Sequence, residues 1–454
     1  MDSTLISKYN VAGPRYTSYP TVPYWNVDSF SLKNWKTSLI KSFEETNDTE
    51  GISLYIHLPF CESMCTFCGC HKRITKNHAV ELPYIEALIK EFKLYKAILG
   101  KRPNIKELHL GGGTPTFFSV ENIRTLLQTI DRIGKFRDDC ELSFEGHPNN
   151  TTNDHLKMFS AFNFKRVSYG VQDYNLKVQK AIHRIQPFEN VKRVTEASRN
   201  MGFTSVGHDI IFGLPFQTED DVRNTIYKTI ELKPDRIAFY SYAHVPWIKG
   251  NGQRGFSTEA LPSASQKSRQ YQIGKKLLLD AGYFEIGMDH FALPTDTLYK
   301  AQKEGKLHRN FMGYTASKTK LMIGLGASSI SDSWYGFAQN TKNIEAYKDL
   351  VNNDIIPVFR GHILNDEDLK IRQHILNLMC NFKTNWEDDA LNFKELNDVL
   401  IKLKELEKDG LIEIGNKQIV VTEKGQPFVR NICLPFDLRL QRNKPETKLF
   451  SMTI

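Results

Sequence analysis

The sequence has no long hydrophobic run. Nowhere does it approach the ~18 to 20 uncharged apolar residues that a membrane-spanning helix needs. The opening residues, MDSTLISKYN, also lack the apolar run of a secretory signal. With 454 residues, 40% of them hydrophobic, the chain can bury a large core. We therefore expect a soluble, cytoplasmic protein with no membrane partner, built from one large domain and a smaller one.

Charge of one sign is not concentrated anywhere along the chain. The 60 basic and 52 acidic residues give a formal net charge of +8, and neither kind forms a long block. A nucleic-acid-binding surface usually shows as a cluster of basic residues. The composition therefore predicts no nucleic-acid partner, whereas an anionic small substrate fits the net charge.

A disulfide framework is missing as well. The chain has seven cysteines, which is an odd number, and four of them fall within the ten residues CESMCTFCGC at positions 61–70. Such clustering is typical of metal or redox chemistry in a reducing compartment. The segment 61–70 is therefore the first candidate for a functional site.

Cys61, Cys65 and Cys68 have the spacing C-x3-C-x2-C, with no second cysteine pair nearby. Thiolates select zinc, Cu(I) or iron-sulfur clusters. A structural zinc site normally takes four ligands in two separated pairs, so zinc is the weaker alternative. Three thiolates on a cluster of four irons would leave one iron open for an exogenous ligand. The spacing leaves open whether Cys70 is a fourth ligand, a bystander thiol or a reactant.

Residues 52–245 alternate β-rich apolar runs with stretches of helical period. Six strands are predicted, in ISLYIHLPF, KELHLGGG, CELSFEGHP, KRVSYGVQD, SVGHDIIFG and RIAFYSYAH. Repeated βα units predict an α/β fold with a parallel sheet. Six units fall short of the eight of a closed barrel, so we expect a partial, open (β/α)6 barrel within residues 51–360. Loops after the carboxyl ends of such strands build active sites, and the cysteine segment directly follows the first strand.

The two ends of the chain differ from this pattern. Residues 1–50 include KYNVAGPRYTSYPTVPYW, which is rich in Pro, Tyr and Gly, and we expect this segment to wrap the barrel and cover a substrate. Residues 361–454 predict two helices followed by two strands joined at Gly415-Asn416, a mainly helical, winged-helix-like domain. Its mixed charge favours a lid over a nucleic-acid binder.

The segment CESMCTFC after one barrel strand, and GGGTP at the end of the next, resemble the radical SAM superfamily. The resemblance implies a [4Fe-4S] cluster held by Cys61, Cys65 and Cys68, with S-adenosylmethionine (SAM) on the open iron. In that superfamily an electron from the cluster splits SAM into methionine and a 5'-deoxyadenosyl radical. The barrel would hold both cofactors and exclude water and oxygen.

A narrower resemblance extends over almost the whole chain. The segments GPRYTSYPT, LYIHLPFC, CTFCGC, GLPFQT, GMDHFA and KLHRNFMGYT resemble the oxygen-independent coproporphyrinogen III oxidases. That family implies oxidative decarboxylation of two propionates of coproporphyrinogen III to vinyl groups, giving protoporphyrinogen IX in haem biosynthesis. It also implies two SAM molecules, a tetracarboxylate substrate and a low-potential electron donor such as a flavodoxin or ferredoxin. We expect a monomer.

The resemblance sorts the residues predicted to bind SAM into two sets. The SAM on the cluster would contact Tyr55, Phe67, Gly112 and Glu145. The second SAM would contact Gly113, Thr114, Gln172, Arg184, Asp209, Ala243 and Ile330. The carboxylates of Glu145 and Asp209 suit an ammonium or a ribose hydroxyl, and Arg184 suits a carboxylate. In the plainer alternative, Glu145 and Asp209 cap helices and the glycine triplet only makes a turn.

Cys70 is predicted to be catalytic, because the resemblance excludes it from the cluster and places it near the substrate. Arg15, Arg309 and His290 are candidate partners of substrate carboxylates, outside the predicted site.

Three rival functions remain open at the level of sequence. They are a haem chaperone of the same superfamily, a winged-helix nucleic-acid binder with a structural metal, and a radical SAM methyltransferase. Cys70 and the GPRYTSYP segment argue against the chaperone, and the βα pattern with GGGTP argues against the nucleic-acid binder.

Overall fold

The computed structural model describes residues 3–28, 30–246, 253, 255–447 and 449–453. The first eight strands are β1 Ile52–Leu58, β2 Phe60–Cys61, β3 Arg73–Ile74, β4 Asn104–Gly112, β5 Lys135–Gly146, β6 Arg166–Gln172, β7 Ser205–Phe212 and β8 Arg236–Ser241. The next eight are β9 Phe284–Gly287, β10 His290–Ala292, β11 His308–Asn310, β12 Gly313–Thr315, β13 Met322–Leu325, β14 Ile330–Asp332, β15 Gly336–Asn340 and β16 Val358–Ile363. The last three are β17 Lys383–Asn385, β18 Ile412–Gly415 and β19 Gln418–Val421.

The helices are numbered in the same way along the chain. The first eight are α1 Ser3–Tyr9, α2 Leu32–Thr46, α3 Glu81–Leu99, α4 Val120–Ile133, α5 Asn153–Ala161, α6 Leu176–Ala181, α7 Phe188–Asn200 and α8 Glu219–Leu232. The remaining ones are α9 Ala264–Asp280, α10 Thr297–Lys303, α11 Ile344–Asn352, α12 Asp366–Asn381, α13 Leu396–Lys408, α14 Val429–Cys433 and α15 Leu438–Arg442.

The six predicted strands form the centre of one sheet. β1, β4, β5, β6, β7 and β8 lie side by side in that order, and every neighbouring pair is parallel. This confirms the prediction of a partial (β/α)6 barrel. The sheet also continues at both edges, through β13 to β16 beside β1 and through β10 and β9 beside β8. These additional strands were not predicted.

Alternate residues of each central strand face opposite sides of the sheet. In β1, Leu54, Ile56 and Leu58 are fully buried in the main hydrophobic core, which they share with α3 and α4. The intervening residues, such as Tyr55, face the interior of the barrel. In β6 the same alternation buries Val167, Tyr169 and Val171 and leaves Arg166, Ser168 and Gly170 partly accessible. The strand sequence therefore separates core-forming residues from interior residues.

Helix α4 shows why the covering helices form where they do. Ser119 caps its first turn by accepting a hydrogen bond from the Asn122 N–H at 3.3 Å. Ile123, Leu126, Leu127 and Ile130 then recur at helical spacing and are all fully buried. Gly134 follows the helix and ends it. The apolar face binds this helix to the outside of the sheet.

The N-terminal segment contacts both parts of the protein. Trp35, Leu39 and Phe43 of α2 belong to the core of the barrel. Tyr9, Tyr16 and other residues before it belong to a second core, which α12, α13 and the strands of the C-terminal region build. The segment thus joins the barrel to the C-terminal region.

The C-terminal region contains a three-stranded antiparallel sheet, ordered β17-β19-β18, beside α12 and α13. The predicted hairpin is present, but its turn is one residue later than predicted. Gly415 still pairs with Gln418, so the turn consists of Asn416 and Lys417. Lys417 has a φ of 53°, the left-handed conformation that such turns require.

None of the helices in the described part of the chain is long and apolar enough to cross a membrane.

Gly425 provides a test of the C-terminal fold, because its neighbours leave no room for a side chain. A Cβ atom at this position would lie 1.9 Å from the carbonyl oxygen of Leu411. We expect Gly425→Ala to lower the free energy of unfolding by about 1–3 kcal/mol, since backbone would have to move. Urea denaturation followed by tryptophan fluorescence measures the change. The matched control is Gly415→Ala, whose Cβ would meet only the flexible side chain of Gln418; equal stability of the two variants would contradict this packing.

Candidate active site

A cavity of about 410 Å³ lies at the carboxyl ends of the parallel strands. It brings together residues from the cysteine segment and from the ends of four successive strands. Of the predicted site residues, Cys61, Cys65, Phe67, Cys68, Cys70, Gly112, Gly113, Thr114, Glu145, Gln172, Arg184 and Asp209 line it. Cys61 and Asp209, which are 148 positions apart in sequence, therefore face the same cavity.

The cysteine loop is closed at its base by a short parallel pairing. Strand β2 pairs with β3, so that Phe60 lies opposite Arg73 and Cys61 opposite Ile74. The loop is also attached to the barrel through the Thr66 N–H, which donates to the carbonyl of Ile182 at 3.1 Å. Lys72 donates to the Cys68 carbonyl at 3.1 Å from inside the loop. These bonds fix the three thiols of the motif on the rim of the cavity.

Two of the sulfur atoms receive hydrogen bonds from outside the loop. The Thr114 hydroxyl donates to Cys61 Sγ at 3.4 Å, and Arg184 Nη1 donates to Cys65 Sγ at 3.8 Å. All cysteines in the described chain are free thiols. Donors aimed at sulfur suit bound thiolates, and hydrogen bonds of this kind tune iron-sulfur clusters.

The three thiols of the cysteine motif fit a cluster of several irons. Among the described residues, no three His, Cys, Asp or Glu side chains converge as ligands of one metal ion. A structural zinc ion needs such convergence, whereas in an iron-sulfur cluster each thiolate can bind a different iron. Cys61, Cys65 and Cys68 each offer one thiol at the rim of the cavity, as a cluster of several irons needs.

Cys70 lies at the same rim and is exposed to the cavity. Its thiol is within hydrogen-bond distance of the Cys68 thiol, and this bond, together with the charge of Lys72, lowers the pKa of Cys68 to about 6. The same bond and the charge of Cys68 raise the pKa of Cys70. Cys68 is therefore the more acidic thiol of the pair.

The glycine triplet brings backbone close to its neighbours. Gly112 has a φ of 112°, and a Cβ atom there would lie 2.7 Å from the ring of His57. A Cβ atom at Gly113 would lie 2.7 Å from the carbonyl carbon of Pro59. Glycine is therefore required at both positions for steric reasons, beyond the formation of a turn.

Glu145 does not cap a helix. It accepts a hydrogen bond from the Gly112 N–H at 3.1 Å, and His109 Nε2 lies 3.4 Å from its other oxygen. Burial opposes its charge, but the hydrogen bonds from His109 and Gly112 outweigh burial and lower the pKa of Glu145. Glu145, near the end of β5, is therefore a carboxylate at neutral pH, bound to the last residue of β4 and facing the cavity.

Asp209 and Arg184 occupy the other side of the cavity. Asp209 accepts a hydrogen bond from Ser168 at 2.9 Å, and burial raises its pKa to about 7, with a further contribution from the charge of Glu145. Arg184 donates to the Gly170 carbonyl at 2.7 Å and to the Gln186 side chain at 3.2 Å. Neither of these partners is a carboxylate, so the Arg184 charge is available to an anionic ligand.

Three predicted residues do not line this cavity. Tyr55 lies behind it, with its hydroxyl 3.0 Å from His57 Nδ1. Because His57 Nε2 must donate to the carbonyl of His71, Nδ1 accepts and the Tyr55 hydroxyl donates. Ala243 lines a second cavity, of about 380 Å³.

Ile330 is the third of these residues. It lies on β14 and packs near Trp25 and Phe337. A Cβ atom on Gly324, the partner of Tyr55 in the sheet, would lie 2.4 Å from the Ile330 carbonyl oxygen. The structure therefore places the Ile330 backbone near the strand of Tyr55, and its contact with a second SAM molecule stays a prediction.

Several residues that position the site were not predicted. His109 orients Glu145, Ser168 binds Asp209, and Lys72 carries a positive charge near Cys68. His109 and Ser168 occupy interior positions in the alternation of β4 and β6. That alternation was the available signal, because it assigns one side of each strand to the barrel interior.

The comparisons with known proteins agree with this geometry. A sequence model of the radical SAM superfamily matches residues 55–227. The oxygen-independent coproporphyrinogen III oxidase of Escherichia coli (strain K12) is 38% identical over 100% of this chain and 98% of its own length. The protein of the same name from Synechocystis sp. is 36% identical, over 99% of this chain and 97% of its own length.

One solved structure is similar over nearly the full chain. It is the coproporphyrinogen III oxidase HemN from Escherichia coli, described as a radical SAM enzyme, with a TM-score of 0.88 and 35% identity over 96% of this chain and 98% of that chain. The chain described here therefore belongs to the oxygen-independent coproporphyrinogen III oxidase family of the radical SAM superfamily.

Proposed function

We propose that this protein decarboxylates two propionate side chains of coproporphyrinogen III oxidatively to vinyl groups, giving protoporphyrinogen IX in haem biosynthesis without oxygen. The observation that carries the proposal is the convergence of the cysteine loop, Glu145, Arg184 and Asp209 on one cavity. The names of the full-length relatives support the substrate. The chain is a radical SAM enzyme, and its family implies SAM and a [4Fe-4S] cluster.

The residues of the loop account for how the cofactors would be held. Cys61, Cys65 and Cys68 would bind the cluster, and Thr114 and Arg184 would stabilise its thiolates by donating to sulfur. When bound, the cluster and SAM supply the electron and the carbon-centred radical that removes a hydrogen atom from the propionate β-carbon. The propionate then loses carbon dioxide, and an acceptor takes up the remaining electron to complete the vinyl group.

The charges of the cavity suit the amino-acid end of SAM. Glu145 is a carboxylate that can accept hydrogen bonds from an ammonium group, and Gly112 lies beside it on the lining of the cavity. On the other side, Arg184 can bind a carboxylate and Asp209 can bind a hydroxyl or ammonium group. Two separate polar sets within one cavity support the binding of two SAM molecules, which we propose as the stoichiometry.

Further aspects of the function remain proposals. We propose that residues 1–50 cover the substrate, that residues 51–360 form the catalytic unit and that residues 361–454 act as its lid. We also propose a low-potential flavodoxin- or ferredoxin-like electron donor, a monomeric and cytoplasmic enzyme, and no nucleic-acid partner. The family membership favours the oxidase over the haem-chaperone alternative.

The direct test of the function is product formation. The purified chain is reconstituted anaerobically with iron and sulfide and incubated with coproporphyrinogen III, SAM and a low-potential reductant. We expect protoporphyrin after oxidation of the product, together with two methionines for each protoporphyrin, because each propionate would consume one SAM. A cluster-loaded enzyme that forms no vinyl product would disprove the function, and a methionine ratio of one would disprove the use of one SAM for each propionate.

Cys70 and Cys68 are expected to respond differently to the same substitution. Cys68→Ser should lose both the iron-sulfur absorbance and activity, because it removes a ligand. Cys70→Ser should keep the absorbance and lose activity, because Cys70 faces the cavity without binding iron. Iron content and visible absorbance after reconstitution give the first readout, and protoporphyrin gives the second. Loss of the cluster from Cys70→Ser would show that Cys70 is a fourth ligand.

A further inference from the structure

A second cavity, of about 380 Å³, lies beyond the carboxyl ends of β7 and β8. Helix α9 forms one wall, and residues near both ends of the chain, among them Arg15 and Met452, form others. Ala243, a residue predicted to contact SAM, also lines it. The cavity is therefore at the same end of the barrel as the cysteine cavity, but it contains none of the cysteines.

The lining of this second cavity has an excess of positive charge. Arg15, Lys267 and Arg430 line it, and Asp289 is its only carboxylate among the described residues. Asp289 forms an ion pair with Arg15. Among the described residues, neither Lys267 nor Arg430 forms an ion pair with a carboxylate. Cations in a partly enclosed space without counter-charges favour an anionic ligand.

The two remaining cations differ in what they can offer to a ligand. Arg430 donates from Nε to the Pro14 carbonyl at 2.9 Å and from Nη1 to the Met452 carbonyl at 3.0 Å, and its third nitrogen donates to Gly13. Its role is to hold the two ends of the chain together as walls. Lys267 donates to the Tyr242 carbonyl at 2.8 Å and has two further N–H donors. Lys267 is therefore the donor available to a ligand.

The electrostatic surroundings of Lys267 agree with this assignment. The pKa of Lys267 is lowered to about 8, mainly by burial and also by the charges of Arg15 and Arg430. Asp289 raises it, and the other titratable groups on the described lining are Tyr242, His244 and Tyr271. A bound carboxylate would supply the negative counter-charge that stabilises the Lys267 ammonium.

We propose that the second cavity is a carboxylate subsite in which Lys267 binds a propionate that the substrate keeps. This rests on the proposed function. Coproporphyrinogen III has four carboxylates, and the reaction removes two of them. A strong ion pair would stabilise the charged form of a reacting carboxylate, which must lose its charge when neutral carbon dioxide leaves, and so would oppose the reaction. An ion pair with a retained carboxylate positions the ring without that cost, and the absence of cysteines from this cavity suits that role.

The test uses the cluster-reconstituted full chain and measures porphyrin binding, without turnover. The probes are coproporphyrin III, which has four carboxylates, and mesoporphyrin IX, which has only the two that the reaction leaves. We expect Lys267→Met to weaken binding of both porphyrins by about tenfold or more, as expected for loss of a desolvated charge pair. Lys267→Arg should retain most of the affinity, and SAM binding should not change.

Two further variants serve as controls. Lys276→Met removes a lysine of the same helix that is paired with Asp280 and does not line the cavity, so it should bind porphyrin normally. If Lys267→Met proves unstable, Ala264→Glu adds a negative charge to the lining at the first turn of α9 and should weaken binding as well. Its matched control is Ser265→Glu, which is exposed and outside the lining.

The outcomes that would overturn the proposal are distinct. Normal porphyrin affinity in Lys267→Met and Ala264→Glu would disprove the subsite and leave the proposed function intact. Weaker coproporphyrin binding with unchanged mesoporphyrin binding would show that Lys267 binds a reacting propionate. Weaker SAM binding alone would show that the carboxylate belongs to SAM. No binding of either porphyrin by the unaltered protein would overturn the subsite, whereas absence of vinyl product from the unaltered, cluster-loaded protein would contradict the proposed function itself.

Discussion

Parallel pairing of six strands is the constraint on which the site depends. Because β1 and β4 to β8 run in the same direction, their carboxyl ends meet at one edge, and the loops that follow them face each other. The register then fixes which interior residues are neighbours. Tyr55 lies opposite His109, Glu145 opposite Ser168 and Gly170 opposite Asp209. The polar groups of the cavity are thus positioned by backbone pairing before any cofactor binds.

The charge states of the cavity residues depend on their own hydrogen-bond partners more than on the net charge of the protein. Glu145 stays ionised because His109 and the Gly112 N–H donate to it, although it is surrounded by protein. Asp209 has fewer donors, and burial keeps its pKa near neutrality. Arg184 is bound to carbonyls and sulfur, so its charge is not cancelled. Glu145 therefore suits a cationic group of a ligand, and Arg184 suits an anionic group.

Much of this arrangement could be predicted from the sequence, because it depends on local signals. Alternating apolar strands, glycine-rich strand ends and the cysteine spacing identified the six strands and the loop. The short strands β9 to β16 gave no comparable periodicity, and their positions depend on pairing with distant residues. The position of Ile330 could not be predicted for the same reason. It lies near Tyr55 because Gly324 of β13 pairs with Tyr55 and contacts the Ile330 carbonyl. The second cavity could not be foreseen either, because its walls come from both ends of the chain and from α9.

The central claim is that three cysteines hold a four-iron cluster with one iron open to SAM. Electron paramagnetic resonance of the reduced, reconstituted protein tests it most directly, with and without SAM, in the unaltered chain and in Cys70→Ser. The account predicts one cluster signal in both proteins, and a change in that signal when SAM is added. A signal that SAM does not alter, or one that disappears in Cys70→Ser, would contradict it.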